Sequence, residues 1–323
     1  MRFRGMIHDV ASMNQLHRVL WTLAKMVKSS AEVYVFRLTP DFIYFVKEES
    51  AAHGGITLWA RLAVPSLFDE YHFEGLSRRD NEIQLEIVPA ALVPAFKTAL
   101  AGSTSAASHH ATDGSHASRS LTGSFNAKSL KMKLTKKPAV GPCLCIEVEL
   151  PPASAHIHAQ SRVLTHEVGV HVIPKRNWVS DEDCQNPRYD LSLWLPPLRT
   201  LKNVADKMKN MSSHVILLAE KVAGYHRQAC LKLNAENEFV SITTTFNELR
   251  MPDLDPDDND DGGAGDGGSV AVRIDVKKLV AFLSSLQFPI DTICASFQDG
   301  EAAHLSIAES DFLFQYRLPA VNL

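Results

Sequence analysis

Residues 189–210 read YDLSLWLPPLRTLKNVADKMKN. Tyr189–Leu195 reads as a strand, and Pro197–Asn210 reads as a helix opened by proline. Leu198, Leu201, Ala205 and Met208 form an apolar stripe at helical spacing, while Arg199, Lys202, Lys207 and Lys209 fall elsewhere on the cylinder. Three strands follow, at His214–Glu220, Ala229–Asn234 and Phe239–Phe246.

The same order recurs along the whole chain. Phe3–Val10 is a strand, and Ser12 is the expected N-cap of a helix running to Lys28, with Leu16, Leu20, Leu23 and Val27 on its stripe. Strands follow at Glu32–Leu38, Phe42–Val46 and Ile56–Val64, with another at Glu70–Glu74. Glu82–Val88 opens the second unit, before a helix from Pro89 to about Ala101 and strands at Ser129–Thr135, Cys143–Leu150 and Val163–Ile173. Val270–Ile274, a helix over Val276–Leu286, and strands at Thr292–Phe297, Ala303–Ile307 and Phe312–Leu318 make a fourth. Four strand–helix–three-strand units imply an α+β fold of two similar domains, two units in each. The domains are expected at 1–173 and 189–323, with a polar connector at 174–188 that carries Trp178.

Two segments interrupt the pattern. Residues 102–124 are rich in Ser, Ala, Thr and His and offer little to bury. Residues 252–268 form an acidic Asp/Gly loop. Both are expected to be disordered. Lys and Arg number 33 against 37 Asp and Glu, a net charge of −4, and seven of the aspartates lie in Asp253–Asp266. Without those seven the remainder carries +3, so the folded body is mildly basic. Composition at 45% hydrophobic and 22% charged excludes collagen-like, wholly disordered and disulfide-scaffold proteins. No apolar run approaches the roughly 20 residues of a membrane span, and no apolar h-region follows Met1–Met6, so neither a membrane segment nor a signal peptide is expected. Five cysteines, an odd number, indicate a reducing compartment.

The helices carry the informative charges. Arg18, Lys25 and Lys28 lie off the first stripe, Lys97 off the second, and Arg199, Lys202, Lys207 and Lys209 off the third. Lys277 and Lys278 open the fourth helix beside a stripe of Leu279, Val280, Leu283 and Leu286. On one helix such residues are an ordinary solvated face. Repeated on equivalent helices, they form a surface complementary to phosphates that needs no base readout.

Other constellations favour plain structural readings. Cys143 and Cys145 share one strand face and read as buried small apolar residues, since no second ligand pair accompanies them. His109, His110 and His116 stand in the low-complexity insert, and His156 and His158 stand in a hairpin loop flanked by Pro151-Pro152. Asp257–Gly262 imitates the start of a calcium loop, but its twelfth position is Gly268 rather than glutamate. No metal and no cofactor is therefore expected. Nucleotide-binding, hydrolase and zinc-protease signatures are absent, so no enzyme is expected.

Stretches across the chain are similar to a known family: Met1–Arg4, Phe68–Gly75, Asn81–Glu86, Val172–Trp178 and Gln315–Ala320. The chain resembles a PCNA-like sliding clamp and, more closely, the Hus-type subunit of the heterotrimeric DNA-damage checkpoint clamp, the nine-one-one ring. The resemblance implies a non-catalytic subunit that closes a ring with two other checkpoint-clamp subunits. It implies sequence-independent contact with double-stranded DNA in the hole, with the basic helix residues facing it. It further implies edge-strand pairing between subunits, an ATP-driven clamp loader, and docking of checkpoint and repair proteins at a partner-peptide groove near Trp178. Residence in the nucleus follows, with a cytoplasmic pool before assembly. A self-assembling replication clamp and a DNA-independent adaptor share the residue-level features.

Overall fold

The computed structural model describes residues 1–26, 32–49, 55–101, 126–138, 141–152, 161–179, 188–222, 224, 227–252, 268–288, 290 and 292–321. Lys28 and Val27, the histidines at 109, 110, 116, 156 and 158, the insert at 102–124, the connector beyond Val179 as far as Pro187, and the acidic run Asp253–Asp266 lie outside these residues. The described residues form two units. One comprises Met1–Phe45 and Arg61–Trp178, the other Val46–Ala60 and Val179–Leu323.

The chain begins with β1 (Arg2–Ile7), α1 (Val10–Met26), β2 (Tyr34–Leu38), β3 (Phe42–Glu48), β4 (Thr57–Ala63), α2 (Val64–Leu67) and β5 (Glu70–Glu74). It continues through β6 (Ile83–Ile87), α3 (Pro89–Ala99), β7 (Ser129–Lys137), β8 (Gly141–Leu150), β9 (Arg162–Gly169) and β10 (His171–Val172). In the first unit one sheet has the order β5-β1-β7-β8-β9, and a second runs β10-β6-β2-β3. Antiparallel pairing holds throughout the five-stranded sheet.

The remaining elements are β11 (Leu191–Trp194), α4 (Leu198–Lys209), β12 (His214–Lys221), β13 (Gln228–Glu236), β14 (Ser241–Arg250), β15 (Ser269–Asp275), α5 (Val276–Ser285), β16 (Cys294–Gln298), β17 (Ala302–Glu309) and β18 (Phe312–Pro319). In the second unit β14-β13-β12-β15 make one sheet, and β18-β17-β16-β11 belong to the other.

The helices form because each has one stripe to bury. Met13, Leu16, Val19, Leu20 and Leu23 are buried on α1, and Leu92, Val93, Ala95, Phe96 and Ala99 on α3. On α4 the stripe is Leu201, Ala205 and Met208, and on α5 it is Val276, Leu279, Val280, Phe282 and Leu283. Each large side chain so buried contributes about 1.5–3 kcal/mol. Aromatic pairs fill the units, with Phe36 stacked on Phe45 at 4.9 Å and Phe282 on Tyr316 at 4.9 Å.

Four local features depart from the sequence reading. Ser12 is not the cap of α1. The helix begins two residues earlier, and the Asp9 carboxylate accepts from the Ser12 amide at 2.9 Å and from its hydroxyl at 2.9 Å. These bonds, the backbone one foremost, hold the Asp9 carboxyl below its usual range. Pro65 in the first turn of α2 starts a short helix where only a strand end was expected. Val163–Ile173 is not one strand: β9 ends at Gly169, and β10 leaves that sheet to pair with β6, through His171↔Glu86 and Val172↔Leu85. Phe239 and Val240 precede β14 rather than belonging to it, because the Asn237 side chain accepts both their amides at 2.9 Å and fixes a turn. Cys143 and Cys145 are buried on β8, at 1% and 5% exposure, and the low-polarity site pushes the Cys145 thiol up.

Candidate nucleic-acid interface

In the first unit α1 and α3 pack against each other. Their contact is organised by Trp21, which the sequence did not single out. The Lys97 ammonium sits 3.8 Å from the indole centroid, and the Lys25 ammonium 5.7 Å from it. One indole thus gathers cations from two helices. The His17 ring meets Trp21 edge-on at 5.5 Å. Burial lowers the His17 pKa first, and the Lys97 and Arg18 charges lower it further, which favours the neutral ring. Lys25 and Lys97 are exposed and Arg18 is half-buried.

In the second unit α4 and α5 make the corresponding pair. Arg199 and Lys207 are exposed on α4, while Lys202 and Lys209 are half-buried. Lys209 is bonded to Asp206 of its own helix at 2.9 Å, which offsets part of its charge. Lys277 and Lys278 occupy the first turn of α5, after the Asp275 cap, whose carboxylate accepts from the Lys277 amide at 2.8 Å. Lys277 is exposed, whereas Lys278 reaches Glu49 at 3.6 Å. The structure therefore separates the expected residues into cations with no ion pair among the described residues, such as Lys25, Lys97, Lys207 and Lys277, and cations with acidic neighbours.

Trp178 is half-buried at the end of a 3₁₀ turn over Lys175–Asn177. Its indole N–H donates to the Ile173 carbonyl at 3.0 Å, so its polar atom fastens the strap locally. Among the described residues no group of three His, Cys, Asp or Glu is placed to hold a metal ion, and no helix is long and apolar enough to cross a membrane.

Each sheet ends in a strand with an open edge. On β9, Val163 is 58% and Leu164 44% exposed. In the turn before β14, Phe239 is 89% exposed and Val240 is exposed, as is Ile242 on β14 itself. A bulge between Ala229 and Leu231 bends the β13–β14 pair, and Glu248 takes φ 58° opposite it.

The Hus1-like protein family model matches residues 1–322. The chain belongs to the Hus1-like family. This Hus1-like chain is 31% identical over 323 residues to the checkpoint protein HUS1 of Homo sapiens, covering 100% of both. It is 24% identical over 322 residues to the checkpoint protein Hus1-like of Drosophila melanogaster, covering 99% of both. Against the checkpoint protein hus1 of Schizosaccharomyces pombe it is 23% identical over 301 residues, 90% of this chain and 91% of that one. Among solved structures it is similar to the proliferating cellular nuclear antigen of Entamoeba histolytica, with a TM-score of 0.60 at 10% identity over 99% of each chain. The Hus1-like chain thus has the PCNA-like clamp fold that the resemblance implied.

Proposed function

We propose that this chain is one non-catalytic subunit of a heterotrimeric checkpoint ring that encircles double-stranded DNA and serves as a platform for checkpoint signalling and repair factors in the nucleus. The observation that carries the reading is the build of the two helix pairs. Each helix buries an apolar stripe and leaves exposed or half-exposed cations elsewhere, Lys25 and Lys97 in one pair and Arg199, Lys207 and Lys277 in the other. In a closed ring these cations face the hole. Phosphate attraction has no sequence register, so the enclosed duplex slides. An ATP-driven loader opens the ring, because a closed ring cannot thread onto an internal DNA site.

Assembly uses the two open edges. β9 and β14 present unpaired backbone groups with apolar side chains beside them, which suits strand addition between subunits. Trp178 and the strap border the surface where partner peptides dock. Light scattering tests the core of the reading. The chain alone should be a monomer and should form a 1:1:1 particle with the two partner subunits. A stable homotrimer at micromolar concentration would replace the reading with a self-assembling replication clamp.

A further inference from the structure

Two short loops of the first unit are fastened side by side, and between them they concentrate cations that the helix faces do not account for. In the first loop, the Ser77 amide donates to the Asp80 carbonyl at 3.1 Å, and the Asp80 amide returns to Ser77 Oγ at 3.0 Å. Its base is closed by the Gly75 amide on Asn81 Oδ1 at 3.0 Å. A Cβ on Gly75 would lie 2.3 Å from the Glu82 nitrogen, so only glycine permits this approach. The second loop is the start of the strap. The Ile173 amide donates to the Gln84 carbonyl at 2.9 Å, and the 3₁₀ turn is closed by Asn177 donating to Pro174 at 2.8 Å.

Lys175 joins the loops. Its ammonium is 2.7 Å from Asp80 Oδ1. That hydrogen bond is the main cause holding the Asp80 carboxyl below its usual range, and the Arg79 charge also reaches it. Arg78, Arg79, Lys175 and Arg176 are all exposed, and Asp80 is the carboxylate set among them. Among the described residues none of the three guanidinium groups forms an ion pair at salt-bridge distance, although the Arg79 charge acts on Asp80. Leu76, 47% exposed, lies on the same loop.

We propose that this patch binds a phosphorylated serine or threonine in an extended segment of a partner protein, with the phosphate on Arg78, Arg79 and Arg176 and a neighbouring apolar residue on Leu76. A phosphate ester carries about −1.5 to −2 charges and three acceptor oxygens. Planar guanidinium forks match those oxygens in pairs, which lysine does not. Lys175 is occupied by Asp80, so its role is to hold the two loops in register. The loops are already closed by their own hydrogen bonds, and little ordering is needed on binding. Cations on two loops joined through the Lys175–Asp80 pair, with an exposed leucine on one of them, suit a single modified side chain, whereas duplex DNA would call for a row of cations along its backbone.

The proposal does not depend on ring formation and is tested on the isolated full-length chain. The probe is a degenerate peptide array with a fixed phosphothreonine, beside the same array with threonine. The chain should bind the phosphorylated array at least tenfold better. R78A/R79A/R176A should abolish that preference without moving the melting temperature, while K202Q/K207Q on α4 should leave it intact. Equal binding to both arrays, or an unchanged preference in the triple variant, would overturn the proposal. A short DNA duplex that competes the phosphopeptide off the wild type and loses affinity in the triple variant would also overturn it, making the patch a DNA surface.

Discussion

Neutralising Lys25, Lys97 and Lys202 together tests the DNA-facing assignment most directly. K25Q, K97Q and K202Q retain aliphatic stems and remove three charges that have no acidic partner at salt-bridge distance among the described residues. If each ammonium meets one phosphate, the slope of log K against log salt falls by about 0.9 per contact, or about 2.7 in total. Salt rises fourfold from 50 to 200 mM, about 0.6 decades. The deficit of the variant relative to wild type should therefore shrink by about 1.6 decades, roughly 40-fold, across that range. The assay is fluorescence anisotropy of the assembled ring on a duplex, run with two unrelated sequences. Both should lose affinity equally, because no base is read. Lys209 and Lys278, which sit beside Asp206 and Glu49, are the internal comparison and should change the slope less. A deficit that stays constant with salt, or an unchanged slope, would refute the reasoning.

Three further outcomes follow from particular contacts. Burial foremost, with the Arg317 charge, pushes the His304 pKa down to about 4 from 6.5, so the unfolded chain binds the extra proton first. Stability should be fully present above pH 6.5 and fall toward pH 4 by at most about 3 kcal/mol; H304Q should flatten this part of the pH–stability curve measured by urea denaturation, and an unflattened curve would place the acid sensitivity elsewhere. Removing the α1 cap in D9A should cost about 1 kcal/mol in the same measurement, and S12A less, because Ser12 contributes its amide in either case. V163K/L164K on the exposed edge of β9 should leave the melting temperature of the isolated chain nearly unchanged, since exposed substitutions shift stability by about 0.5 kcal/mol or less. The same variant should fail to enter the 1:1:1 particle in light scattering, and normal entry would free β9 of an assembly role.

Helices were legible in the sequence because each stripe repeats at 3.6 residues, and their predicted spans agree with the structure to within a turn. Strand order was legible only through the repeat and the family resemblance, since pairing partners are far apart in the chain. What the sequence hid was decided by competition between neighbours. Asp9 outcompetes Ser12 as cap because its carboxylate reaches both the amide and the hydroxyl of Ser12. The break after Gly169 is invisible because Val170, His171 and Val172 keep the alternating pattern while changing sheets. The cationic candidates could be named from helical spacing, but not their company. Trp21 beneath Lys97, and Asp80 beneath Lys175, join positions 76 and 95 residues apart. No local pattern contains that information.

Lys277 offers a last test, because its position sets stability against function. The first turn of a helix carries about half a positive charge from unsatisfied amides, and acidic residues are favoured there by 0.3–1 kcal/mol. Asp275 answers that field as the cap, yet the next two exposed or half-exposed positions are lysines. Solubility alone would be served as well by glutamate, which would also suit the dipole. Under the proposed function an anionic partner accounts for a cation at this position. K277E should therefore raise the stability of the isolated chain by about 0.3–1 kcal/mol in urea denaturation, while weakening DNA association of the assembled ring at low salt. The two effects run in opposite directions, so neither misfolding nor a general loss of solubility can mimic them. A K277E ring that is more stable and binds DNA as well as wild type would show that Lys277 faces water rather than phosphate.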